Sequence, residues 1–179
     1  MKKAKVLMGA VCVFVAMTSS VFSATLTDSM RYGVGGVVIH GVGGLVLDVA
    51  TSLQAGVFTR SYDVSIFGSY ISNDLANKSD LTAFGISGSL KTALDQSSSL
   101  TYGAFYKMTS GKFGGMDIDS SYTAGITVGI QKELANNVLL DAKLVPVSVE
   151  SIKFKIAGAT AVNTTTVFGQ YLLGVTYLF

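Results

Sequence analysis

Apolar and small or polar side chains alternate one for one through most of this sequence, and that period of two excludes a helical architecture. Successive side chains of a strand point to opposite faces, whereas a helix returns to the same face every 3.6 residues. Between residues 120 and 131, Tyr122, Ala124, Ile126, Val128 and Ile130 share one face against Thr123, Gly125, Thr127, Gly129 and Gln131. Residues 99–108 oppose Leu100, Tyr102, Ala104, Tyr106 and Met108 to Thr101, Gly103, Phe105 and Lys107. Residues 61–71, 82–91 and 138–145 repeat the pattern. Near the C-terminus, Val167, Gly169, Tyr171, Leu173, Val175, Tyr177 and Phe179 fall on one face.

The residues on the second face decide which β architecture this is. A soluble sandwich presents Lys, Glu, Gln and Thr to water and packs large residues of varied shape inside. Here the non-apolar face is Gly, Ser, Ala and Thr with an occasional charge, which suits the crowded lumen of a small closed barrel. The mean hydropathy of +0.51 is high for a soluble chain. Beyond residue 20, however, no apolar run reaches the length of a membrane helix. A lipid-facing barrel wall reconciles the two observations, because every second residue is apolar. All eight Tyr fall in the apolar register, as expected of rings that end in a headgroup region. The expectation is an all-β chain, a closed antiparallel eight-stranded transmembrane β-barrel with up-and-down meander order. Closure also removes the strand edges that lipid would leave without hydrogen bonds.

Crossing an apolar band of about 25 Å at about 40° tilt takes on the order of 10 residues per strand. The strands are placed at about residues 30–40, 45–57, 61–71, 81–91, 98–109, 120–131, 136–147 and 165–179. Residues 71–80, 110–119 and 149–163 become outer loops, and 92–97 and 132–137 inner turns. The turn at 58–61 contains no Gly, Asn or Pro, so its chemistry argues against a boundary there. The first hairpin, with the Gly-rich repeats at 33–39 and 41–47, is the least defined.

Lys2, Lys3 and Lys5, the apolar stretch Val6–Met17 and a polar break before Ser23 have the layout of a secretory signal peptide. The expected organisation is a signal at 1–23 and a barrel domain at 24–179. Cys12, the single cysteine, lies within the signal, so disulfides and thiolate chemistry are absent from the remainder. The formal charge of +2 also belongs to the signal. The remaining ten basic and eleven acidic residues give no electrostatic case for nucleic acid.

Few residues suggest chemistry. His40 is the single histidine, so a multi-histidine zinc site is excluded. Serine–histidine catalysis would require His40 to meet a serine and an acid, with Asp48 and Asp63 candidates by register alone. Asp117 and Asp119 lack the ligand density of a calcium loop. The glycine-rich repeats lack the lysine of a phosphate loop. No cofactor and no metal is expected. Five charges fall on the inner face: Asp63, Lys91, Lys107, Asp141 and Lys143. Charges buried in a lumen must be paired or hydrated, so these residues are expected to form a network that fills it, joined by Gln54, Gln131 and Gln170.

The signal layout, the alternating segments and the final residues Tyr171–Phe179 resemble the bacterial outer-membrane eight-stranded barrels of the opacity-protein, OmpX, OmpW and OmpA-barrel type. The resemblance is one of pattern and leaves the subfamily open. It implies residence in the outer membrane, with the lipid bilayer and the outer-membrane assembly machinery as partners. It also implies that Phe179, with Tyr177, Val175, Leu173 and Tyr171, forms the signal that machinery reads. Unlike OmpA proper, the sequence stops at the barrel, and unlike the lipid A deacylases it has no histidine in its last strands. The function expected is non-enzymatic: a structural or surface-interaction, adhesin-like barrel with a side-chain-filled lumen and an extracellular ligand of undefined class. The competing readings are a narrow channel for small or hydrophobic solutes and, resting on His40, an outer-membrane lipid enzyme.

Overall fold

The computed structural model describes residues 30–42, 45–73, 79–113, 116–135, 137–156 and 159–179, with side chains undescribed at 38–42, 45–51, 71–73, 79, 113, 135, 156 and 159–160. Residues 1–23, where a signal peptide is expected, lie outside the described residues. Eight strands follow in order: β1 Arg31–Val42, β2 Leu45–Phe58, β3 Tyr62–Asn73, β4 Ser79–Ala93, β5 Ser98–Phe113, β6 Met116–Ala135, β7 Val138–Ile156 and β8 Ala159–Leu178. Each pairs antiparallel with its neighbours in sequence, and β1 pairs with β8 to close the barrel. Reciprocal backbone bonds between Tyr32 and Phe179 (2.8 and 3.3 Å) complete the seam.

The wall is apolar outside and polar inside. Val34, Ile66, Ile86, Ile126, Leu144 and Val175 are exposed, whereas Asp63, Ser65, Thr101, Thr123, Gln131 and Asp141 are buried. This is the inverse of a soluble barrel, and the apolar wall requires a lipid solvent. Exposed tyrosines mark both edges of the band, with Tyr32, Tyr102 and Tyr177 near the short turns and Tyr70 and Tyr122 near the opposite rim. Tyr106 and Tyr122 stack on adjacent strands, with ring centroids 6.3 Å apart. Tyr62 does not join them; it opens β3 and is 6% exposed. The turns after β2, β4 and β6 share an end with Met30 and Phe179, while the sheet rises beyond the band at the other end, which assigns the end with Met30 and Phe179 to the periplasm.

The turn at 58–61 is held by groups that local composition does not reveal. The Thr59 hydroxyl accepts from the amides of Ser61 (3.2 Å) and Tyr62 (2.9 Å), a hydroxyl-centred turn that needs no glycine. Lys91 donates its ammonium to the Thr59 carbonyl (2.7 Å) and its amide to that of Ser61 (2.8 Å). In the next turn, Asp95 accepts from the amides of Ser97 and Ser98, both at 2.7 Å. The Ser97 amide, foremost among several donors, holds this carboxyl below the ordinary Asp range.

The strands are longer on the outer side than the alternation indicates. Residues expected in the outer loops at 110–119 and 149–163 largely continue β5, β6, β7 and β8. Twenty residues in β6 and in β8 reach about 50 Å at the usual rise and tilt, twice the apolar band. Above the band both faces meet water: every residue from Ala161 to Thr166 is exposed. Apolar alternation therefore has no physical cause there.

The facing of β7 and β8 also changes partway along. Pro146 and Gly169 stand between the paired residues Val145–Gln170 and Val147–Phe168. Gly169 has φ +68°, in the left-handed region that favours glycine. Pro146 lacks the amide of a regular ladder. Beyond this point Phe168 is 67% exposed, and Val167 is paired with the buried Ser148. The expected outward set Val167–Gly169–Tyr171 is thereby corrected, because one inserted residue on each strand inverts the alternation.

Two edges stay open among the described residues. β2 and β3 pair over Leu53–Phe58 and Asp63–Gly68 alone. β1 reaches β8 no farther than Gln170, so Ala159–Phe168 is bonded to β7 on one side and to no strand on the other.

Candidate functional site

The lumen is built from the inward positions of all eight strands, and two layers of side chains stand at its periplasmic end. The lower layer is the buried cluster Phe58, Leu139 and Leu178. Beside it Arg31 of β1 reaches Glu133 of β6 through two bonds of 2.8 and 3.1 Å, a bidentate pair between strands that are not neighbours.

Above lies a charge network. The Lys91 ammonium meets Asp63 Oδ1 in an ion pair with both side chains almost fully buried. That oxygen has no other hydrogen-bond partner. Gln131 donates from Nε2 to Asp63 Oδ2 and to Asp141 Oδ1, each at 3.0 Å, using both hydrogens of one amide. Because Asp63 lies on β3 and Gln131 on β6, this bridge crosses the lumen. Lys143 stands 3.5 Å from Asp141. Two carboxylates and two ammoniums make the group electrically neutral, as burial of charge requires. Gln54 donates to the Thr176 hydroxyl (2.7 Å) and Gln170 to that of Ser148 (3.0 Å).

Lys107, expected in the same network, stands apart from it. Thr101 is paired with Lys91, and Lys107 is six residues farther along β5, about 20 Å at strand rise. Side-chain filling likewise stops above the network. Two cavities of about 230 Å³ each occupy the outer part of the lumen. Residues Phe67, Phe105, Lys143 and Leu172 line the inner one, Ser121, Glu150 and Ile152 the outer one, and Ser69 and Lys107 both.

The side chains of His40 and Asp48 lie outside the described residues, though their backbones pair with each other. Asp119 is held by Lys153 (2.7 Å) and Lys155 (3.0 Å), and Asp117 stands 3.9 Å from Lys112. Among the described residues no group of three or more His, Cys, Asp or Glu side chains is placed to hold a metal. Arg31 and Glu133 went unnoticed in the sequence, where 102 residues separate them. Their inward register is the one signal that could have found them.

No protein-family model and no curated protein matches the chain in sequence. Among solved structures it is similar to outer membrane protein H from P. aeruginosa, at 16% identity over 85% of this chain and 99% of that one, with a TM-score of 0.51. It also aligns with the E. coli outer membrane protein W at 11% identity, covering 86% and 100% of the two chains with a TM-score of 0.48. Neisserial surface protein A aligns at 17% identity, covering 84% and 96%, with a TM-score of 0.48. At these identities the likeness is one of fold. With its apolar wall, polar lumen and closed ring of strands, the chain is a small eight-stranded β-barrel of the bacterial outer-membrane type, with a lipid bilayer as its solvent.

Proposed function

We propose that the protein is a non-enzymatic surface-interaction barrel, exported by residues 1–23, whose lumen is sealed toward the periplasm. The observation that carries this reading is the sheet raised above the band, where Ala159–Phe168 presents an unpaired edge among the described residues. Its sequence contains no charge and no proline, the usual protections of an exposed edge, so its backbone groups are available to an extracellular chain. The periplasmic seal supports the same reading: the Phe58–Leu139–Leu178 cluster and the Asp63–Gln131–Asp141 bridge both lie across the path an ion would take.

Reconstituted in a planar bilayer, the barrel is expected to show no stable ohmic conductance. Sustained conductance would overturn the sealed lumen and favour a channel. One observation favours that second reading. The β2–β3 separation lies beside the inner cavity, which Ser52 and Gln54 line from β2 and Phe67 and Ser69 from β3.

Phe179, with Tyr171, Leu173, Val175 and Tyr177, is proposed as the segment engaged by the assembly machinery. The Tyr32–Phe179 backbone pair supports this by placing the residue at the barrel seam. Deleting Phe179 is expected to reduce inserted barrel sharply while leaving export across the inner membrane intact. Gel mobility before and after heating reads the folded fraction. An undiminished folded fraction would exclude the role.

A further inference from the structure

The outer lumen holds an ammonium with no direct partner. Lys107 lines both compartments, and among the described residues its ammonium has neither an ion pair nor a hydrogen bond. Glu150, which lines the outer compartment alone, meets no cation among the described residues, so the inner compartment is the one where Lys107 faces no unpaired carboxylate. Asp141 is held by Gln131 and Lys143, and Glu150 accepts from the Thr123 hydroxyl at 3.3 Å. An ammonium left open beside a cavity is complementary to a carboxylate.

The inner compartment supplies an apolar surface. Val37, Phe67, Phe105, Val145 and Leu172 are among its lining residues. Two glycines keep it open. A Cβ on Gly85 would collide with the Phe67 ring, and one on Gly125 would come within 2.7 Å of the Phe105 ring. Both phenylalanines therefore lie against the wall instead of filling the axis. The space of about 230 Å³ exceeds the cavity of about 150 Å³ that accepts benzene. With two layers of side chains at the periplasmic end, a solute reaches it from the outer side or through the wall.

We propose that the inner compartment of the lumen binds a small organic carboxylate, its anionic end on Lys107 and its apolar part against Phe67, Phe105 and Leu172. The proposal does not depend on the surface-interaction reading, since a sealed periplasmic end and an occupied cavity are independently measurable.

Sodium hexanoate is the probe, titrated into the barrel in lipid nanodiscs and followed by backbone amide shifts. Saturable shifts are expected at Phe67, Phe105 and Lys107, with hexanol weaker and hexylammonium without effect. Lys107→Met should weaken hexanoate by about tenfold or more, as for a lost charge-assisted hydrogen bond, while Lys107→Arg retains most of the binding. The heat-dependent gel shift verifies that both variants are folded. Shifts confined to the lipid-facing Ile126 and Val128 would mean partition into the bilayer and would overturn the site. Equal affinity of wild type and Lys107→Met would overturn it as well.

Discussion

Replacing Lys91 with Met is expected to destabilise the folded barrel by about 3–5 kcal/mol, the usual cost of removing one partner of a buried ion pair. Asp63 is 5% exposed, and without Lys91 its carboxylate would keep only the Gln131 amide at 3.0 Å. The variant also loses the Lys91 bond to the Thr59 carbonyl, which braces the β2–β3 turn. Most of the cost is the charge left behind, and not the value of the pair itself. Lys91→Met combined with Asp63→Leu should therefore recover most of the lost stability, because the site then holds two apolar groups and no uncompensated charge. Urea titration of barrel folded into vesicles, scored by the fraction that keeps compact gel mobility, measures both variants. A single variant as stable as wild type would show that water hydrates Asp63, and the lumen would not be sealed at this level.

The membrane-crossing part of the fold was legible because one physical cause acts on every residue there. Lipid outside and a narrow lumen inside impose apolar-then-small alternation, and Tyr122 to Ile130 obeys it without exception. Where lipid ends, so does the pattern. Residues 116–119 and 161–163 are strand beyond the lipid, and they read as loops. The inversion at Pro146 and Gly169 was hidden for another reason. An inserted residue leaves each flanking segment regular and shifts one against the other, so a single register drawn through Val167 and Tyr171 crosses it unseen.

The lumen network was legible in its residue types and not in its depth. Inward register selects Lys107 as readily as Lys91, and the register between neighbouring strands decides which of them meets a carboxylate. The turn at 58–61 illustrates the same limit. Its main brace, Lys91, stands 32 residues away from Thr59.

Comparison of Ile126→Lys with Thr127→Lys tests most directly whether this barrel has lipid outside and a watered lumen within. The two positions are adjacent on β6, near the middle of the band, and differ in facing. Ile126 is 50% exposed on the outer wall, whereas Thr127 lines the inner cavity. A lysine at Ile126 must place its ammonium in hydrocarbon at about 2–4 kcal/mol. At Thr127 it enters the lumen cavity, where Asp141, Ser87 and Gln170 offer polar partners, with an expected cost of about 1 kcal/mol, that of an ordinary substitution. Equilibrium folding into lipid vesicles should thus show a large loss for the first variant and a small one for the second. Equal losses, or a larger loss at Thr127, would contradict the inside-polar, outside-apolar barrel.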